Sequence, residues 1–212
     1  RSFYSPASTG LYLSYLFSSE APLQTLTAVT PYAAVSVAKI LERYTEKKIL
    51  IKWVNDLYSE GRKVCGILTE ALTSLESGGD NRVVVGIGIN LAQPQSYFDA
   101  AGLPNGTSLE LQGAKVDLST DPAWLAEGLT DFGFDRNMYV FARDGFAPFR
   151  EEYKAACVNL GRRVTFDLPD GGQGAGEAVD VDEEGRLVVR TDSGEEHVFT
   201  GEVSVRGIYG SL

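Results

Sequence analysis

Two apolar runs, residues 64–72 (VCGILTEAL) and 82–93 (RVVVGIGINLAQ), flank the turn residues Gly78-Gly79-Asp80-Asn81. Runs of that length rich in Val, Ile and Leu, separated by Gly and Asp-Asn, predict two antiparallel strands joined as a hairpin. Two more strands are expected, at residues 10–17 (GLYLSYLF) and 49–54 (ILIKWV). Between the first pair, residues 23–44 place Leu26, Val29, Ala33, Val37, Ile40 and Leu41 at helical spacing, which predicts an amphipathic helix to cover a sheet. Residues 55–63 (NDLYSEGRK) are polar and read as a turn with Gly61 near its tip. Residues 122–160 are mostly helical in pattern, with Asp121 as N-cap, Pro122 at the first helical position and an interruption over 143–149.

From residue 159 the texture changes to short β-rich runs split by DLPDGGQG, DEEG and DSGEE. This stretch of 54 residues carries five Lys and Arg against eleven Asp and Glu, 5 − 11 = −6. Regular turn spacing predicts a small SH3-like barrel, with a boundary near residue 158 that divides the chain into 1–158 and 159–212. The fold class expected is α/β: a mixed sheet flanked by helices, followed by that barrel.

Composition narrows the function. A net charge of −10 argues against nucleic-acid binding through this chain, since a phosphate-binding surface carries a basic excess. No apolar run approaches the length of a membrane span, and no signal peptide is evident. Two cysteines far apart, Cys65 and Cys157, fit buried thiols in a reducing cytoplasm. Two cysteines and one histidine, His197, are too few soft ligands for structural zinc. The chain opens at Arg1 and its one methionine is Met138, so an upstream segment is expected.

Chemistry concentrates in KWVNDLYSEGRKVCGIL, where an acidic chain with seven lysines spends two, Lys52 and Lys63, beside an Asn-Asp pair. Taken singly these are ordinary: lysines are mostly surface residues, and Asn-Asp often closes a strand. Gly86-x-Gly88 in VVVGIGIN lacks the third glycine and the helix of a dinucleotide fingerprint, so a Rossmann site is excluded. Two glycines in a strand mark a place where something packs close to the backbone.

Together, in this order and spacing, these residues resemble the biotin protein ligase family. Its motif runs Lys-Trp-Pro-Asn-Asp-Leu, a second lysine, Gly-Ile-Leu, then Gly-x-Gly-Ile-Asn. The matching residues are Lys52, Trp53, Asn55, Asp56, Leu57, Lys63, Gly66, Ile67, Leu68, Gly86, Gly88, Ile89 and Asn90. The likeness extends to RSFYSP, TGLYLS, LGRRV and GEVSVR, and so covers essentially the whole chain. Val54 stands where the family usually has proline. Arg1 resembles the last arginine of the family's Gly-Arg-Gly-Arg-x-Gly-Arg loop, whose remainder is expected upstream together with a Ser-Thr-Asn stretch.

The resemblance implies a class II synthetase-like catalytic domain that activates biotin with ATP to biotinyl-5′-adenylate. Biotin would then pass to a lysine of a biotin carboxyl carrier domain of a carboxylase. It assigns catalysis to Lys63 and Asp56, with Asp56 also a Mg²⁺ ligand. Biotin would be lined by Tyr12, Ser14, Lys63, Gly66, Leu68, Gly86 and Gly88. The nucleotide would meet Phe3, Lys52, Asn55, Asn90, Glu202 and Arg206. A cytoplasmic protein without membrane or nucleic-acid contacts is implied, and a homodimer stays open. The alternatives are a lipoate-type ligase, which lacks the Trp-x-Asn-Asp signature, and the non-catalytic sensing part of a biotin-responsive repressor.

Overall fold

A computed structural model describes residues 8–19, 23–72, 81–168, 171–199 and 203–205. Strands β1 (Gly10–Ser19), β2 (Leu50–Lys52), β3 (Asp56–Ser59), β4 (Arg62–Leu72) and β5 (Asn81–Asn90) form one sheet in the order β1-β5-β4-β3-β2. All neighbours in it are antiparallel. Among the described residues, parallel pairing is limited to the single bridges Ile51–Cys157 and Lys63–Gly106. The expected hairpin is β4–β5, in register from Cys65–Ile89 to Leu72–Arg82; its turn before Asn81 lies outside the described residues.

Strand alternation assigns the two faces. Val83, Val85, Ile87 and Ile89 of β5 point to one side with Cys65 and Ile67 of β4, and all are buried. Helix α2 (Val29–Thr45) covers that side with Tyr32, Ala33, Val37, Ile40 and Leu41. Each large aliphatic side chain so buried contributes about 1.5–3 kcal/mol. The opposite face carries Tyr12, Ser14, Gly86, Gly88, Gly66 and Leu68.

Several sequence expectations shift by a few residues. The 23–44 helix divides into α1 (Leu23–Leu26) and α2, with Thr27 and Ala28 between them. The 49–54 strand is only Leu50–Lys52, and part of the expected turn is strand β3. Leu57 and Tyr58 explain this: two apolar side chains inside a polar stretch are buried by pairing with β4. The reversal shrinks to Glu60-Gly61, whose φ values of 48° and 76° suit a two-residue hairpin turn. Strand β5 ends at Asn90 rather than Gln93, because the Leu91 and Ala92 N–H groups turn to the Thr9 carbonyl at 3.2 and 2.9 Å.

Helix α3 (Gln95–Ala100) follows Pro94, and the N-cap position of α4 (Asp121–Gly128) falls on Thr120 rather than Asp121, with no side-chain capping bond. The Asp121 carboxylate is engaged elsewhere, accepting from the Tyr44 hydroxyl at 2.5 Å and the Asp117 N–H at 2.6 Å. A π-helical segment (Leu129–Asp135) then leads into α5 (Arg136–Asp144) and α6 (Ala147–Ala156). The interruption is thus Gly145 and Phe146 alone, because Gly145 leaves the helix at φ +67° and α6 starts at once around Pro148.

The second sheet holds β6 (Arg163–Asp167), β7 (Gln173–Val181), β8 (Leu187–Thr191), β9 (Gly194–Val198) and β10 (Ser204–Val205), ordered β10-β6-β7-β8-β9. This antiparallel meander is the expected SH3-like unit, around Val164, Phe166, Ala178, Leu187 and Val189. It joins the first sheet through specific bonds. The Trp53 indole N–H donates to the Gly185 carbonyl at 3.0 Å. Arg150 of α6 reaches Asp180 of β7 at 2.5 Å.

Gly185 lies in the β7–β8 turn with φ +77°, and an added β-carbon would sit 2.5 Å from Pro31 Cγ at the start of α2. Gly185→Ala is therefore expected to destabilise the protein by about 1–3 kcal/mol, from backbone strain and overpacking. Chemical denaturation checks this; an unchanged midpoint would mean that the turn does not press on α2.

Candidate active site

The pairing registers put the expected site residues into two rows across the open face. Tyr12 stands opposite Gly88, Gly88 opposite Gly66, Gly66 opposite Asp56, and Asp56 opposite Lys52. One pleat further, Ser14 faces Gly86 and Gly86 faces Leu68. Residues far apart in the sequence thus share one face, with Gly88 and Gly66 between Tyr12 and Asp56 and Gly86 in the adjacent row. On this face Leu68 is 61% exposed and Tyr12 40%, Gly66 and Gly86 are half-buried, and Gly88 is buried.

At Gly86 the glycine is not a demand of the sheet. An added β-carbon at Gly86 would meet nothing closer than the Leu68 carbonyl oxygen at 3.6 Å, an ordinary contact. Strand interiors favour β-branched residues and are weakened by glycine. The missing side chain leaves room above the backbone for a flat object.

Lys63 reaches this face through an irregularity. Leu57 pairs with Cys65 and Tyr58 with Lys63, so Val64 is an extra residue, a β-bulge in β4. In a regular strand Lys63 would share the side of Cys65 and Ile67, under α2. The bulge reverses that parity, and Lys63 Nζ forms an ion pair with the Asp56 carboxylate on the open side. A docked loop holds the lysine backbone: its N–H donates to the Asn105 carbonyl at 2.8 Å, and its carbonyl accepts from the Thr107 N–H at 2.9 Å. The side chains of Lys63 and Asp56 stay 37% and 24% exposed, reachable by a ligand.

Asn55 and Asn90 are fixed by main-chain carbonyls. Asn55 Nδ2 donates to Ile67 O at 2.5 Å, and Asn90 Nδ2 to Thr107 O at 3.0 Å. Both therefore sit at the rim in one set orientation. Trp53 is buried beneath, and the Trp53-Val54 peptide is cis. Phe3, Glu202 and Arg206 lie outside the described residues. Both cysteines are buried. Burial raises the Cys65 thiol pKa strongly and that of Cys157 to about 11, so neither supplies a thiolate at neutral pH.

Sequence reasoning missed the buried polar cluster behind the rim. Gln93, Thr107, Ser108 and Gln112 are almost wholly inaccessible. Ser108 Oγ donates to Gln93 O at 2.8 Å, and Gln112 Nε2 to Thr107 Oγ1 at 3.0 Å. Only the unusual polarity of NGTSLELQ could have marked it, and a polar run reads first as a solvated loop.

The family model described as Biotin/lipoate A/B protein ligase family matches residues 1–90, and that described as Biotin protein ligase C terminal domain matches residues 160–206. The chain belongs to the biotin protein ligase family. A biotin protein ligase from Aquifex aeolicus, solved in complex with biotin and ATP, is 28% identical with a TM-score of 0.69, covering 93% of this chain and 78% of that one. The biotin–[acetyl-CoA-carboxylase] ligase of Paracoccus denitrificans is 30% identical over 162 residues, 76% of this chain and 64% of that protein. The bifunctional ligase/repressor BirA of Bacillus subtilis is 27% identical over 206 residues, 97% of this chain. The chain spans 61% of that relative's length.

Proposed function

We propose that this chain is the catalytic part of a biotin protein ligase. The carrying observation is the bulge that delivers Lys63, paired to Asp56, onto the same face as Gly66, Gly86 and Gly88, the second of which the sheet does not need. The bicyclic ring of biotin lies over Gly66, Gly86 and Gly88, flanked by Tyr12, Ser14 and Leu68. Its carboxylate points toward Lys63.

In the first step a carboxylate oxygen attacks the α-phosphorus of ATP. The bond to the bridging oxygen breaks and pyrophosphate leaves with the electron pair, giving biotinyl-5′-adenylate. Two anions must approach, and a fixed ammonium between them offsets the repulsion and the charge growing on the phosphate. Lys63 supplies it, and Asp56 holds that ammonium in place. Lys52, Asn55 and Asn90 line the nucleotide side; Phe3, Glu202 and Arg206 belong to the same set by family likeness. In the second step a carrier lysine amine attacks the acyl carbon, AMP departs, and the nitrogen loses its proton.

Asp56 is one carboxylate facing a site for phosphates, a donor set that suits Mg²⁺, which keeps several waters and takes one or two carboxylates. There it would screen phosphate charge. The acceptor is a biotin carboxyl carrier domain, and the setting is the cytoplasm. Among the described residues no helix is long and apolar enough to cross a membrane. Residues 1–158 form the ligand-binding unit and 159–212 the carboxy-terminal one; a homodimer is compatible with this assignment.

The test is mass spectrometry of a carrier domain incubated with ATP, biotin and the full-length protein. One biotinyl group on the target lysine is expected. Octanoyl transfer without biotinyl transfer would instead indicate a lipoate-type ligase, and biotin binding without transfer a sensing module.

A further inference from the structure

The turn that carries Asn55 and Asp56 is gripped from outside its own sheet. Residues 157–159 run beside the β2 edge through the parallel bridge Ile51–Cys157, and the Val158 N–H donates to the Ile51 carbonyl at 2.9 Å. Further along that edge the Trp53 N–H is met by a side chain instead: Asn159 Oδ1 accepts it at 2.8 Å. A main-chain N–H can only donate, so the amide oxygen must be the atom that faces it. The Cys157 thiol, 3.9 Å from the same oxygen, is a second donor to it. Asn159 is wholly buried, and its Nδ2 has no hydrogen-bond partner among the described residues. The amide therefore works through Oδ1 alone.

Two more contacts close on the same turn. The Trp53 indole donates to the Gly185 carbonyl, and the Tyr153 hydroxyl of α6 donates to the Val54 carbonyl at 3.2 Å. The chain is thus held at three points immediately before Asn55. On the inner side Asn55 Nδ2 donates to the Ile67 carbonyl at 2.5 Å, and the Asn55 carbonyl accepts from the Ile67 N–H at 3.0 Å. Asn159 and Tyr153 are fully buried, so no ligand touches them. We propose that Asn159, with Tyr153 beside it, is a positioning residue for the nucleotide side of the site: by fixing the Trp53–Val54 main chain it sets the orientation in which Asn55 meets the nucleotide. The inference rests on the catalytic reading above. Tyr12, Ser14, Gly86 and Gly88, assigned to the biotin ring, lie on β1 and β5, three and two strands from β3. The signature is therefore a split, with ATP recognition weakened and biotin affinity kept.

The test measures the KM for ATP in biotin-dependent ATP–pyrophosphate exchange, biotin affinity by calorimetry and Tm, all in the full-length protein. Asn159→Leu keeps the approximate volume and removes the acceptor, which leaves the Trp53 N–H buried and unpaired. It is expected to raise the KM for ATP by about five- to tenfold, the scale of one hydrogen bond, with biotin affinity unchanged. Asn159→Asp keeps an oxygen facing Trp53 and gives up only the unpartnered Nδ2. It should restore most of the ATP KM even though a buried carboxylate lowers Tm. An unchanged ATP KM in Asn159→Leu, a KM that simply follows Tm across the two variants, or an equal loss of biotin affinity would overturn the proposal. If Asn159→Leu does not fold, Tyr153→Phe takes its place. It removes only the hydroxyl on the Val54 carbonyl, and the same split is expected; a wild-type KM for ATP would be contradictory. A wild-type protein without biotin-dependent exchange refutes the catalytic reading itself, which is a separate outcome.

Discussion

Lys63→Ala is expected to slow biotin-dependent ATP–pyrophosphate exchange by about 10²–10³-fold, the usual cost of one preorganised electrostatic contact in a transition state. The charge lost is the cation placed on the open face beside the developing phosphate. Because the carboxylate is already charged before reaction, biotin affinity should fall as well. Lys63→Arg should rescue little, since a planar guanidinium does not replace a compact ammonium between Asp56 and the glycine floor. The second step involves no comparable meeting of anions, so transfer from preformed biotinyl-adenylate should suffer much less than exchange. Equal losses in both steps would mean that Lys63 shapes the site rather than stabilising the first transition state. Near-normal exchange would make it a solvated residue of the bulge.

Gly86→Val should separate folding from binding. A β-carbon fits at that position, with its nearest contact at 3.6 Å, and valine suits a strand. Stability should be unchanged or slightly raised. The two methyl groups, however, project from the open face where the ligand must lie. Biotin affinity is expected to drop by about 10–100-fold, roughly 1.4–3 kcal/mol. Gly88→Val should likewise weaken biotin binding, from the neighbouring position on the same strand. Calorimetric titration reads both effects, and unchanged affinity in both variants would place the ligand on another surface.

What could be read ahead of the structure was whatever depends on period two. The β4–β5 hairpin, and the placing of Gly66, Gly86, Gly88, Tyr12 and Ser14 on one surface, follow from alternation once strands are recognised. The Lys63 geometry does not. It depends on a single extra residue, Val64, and one residue is enough to exchange the faces of a strand. Strand β3 was hidden because Leu57 and Tyr58 are flanked by polar residues, and only pairing with β4 makes them interior. The division of the long helix at Thr27 and Ala28, and the π-helical turn at 129–135, carry no proline or glycine pair that would announce them reliably. In the latter, the Tyr32 hydroxyl donates to the Gly133 carbonyl at 3.0 Å, a contact across 101 positions that no local window contains. The buried Gln93 was invisible for the same reason: it bonds Asn90 and Ser108 across a turn, and a glutamine before a proline reads locally as an ordinary loop residue.

The central claim is that this face joins biotin to adenylate. Biotin-dependent ATP–pyrophosphate exchange by the full-length protein tests it most directly. The account predicts saturable exchange with biotin, background without it, and no replacement of biotin by octanoate or lipoate. Exchange driven by octanoate but not by biotin, or tight biotin binding with no exchange at all, would contradict it.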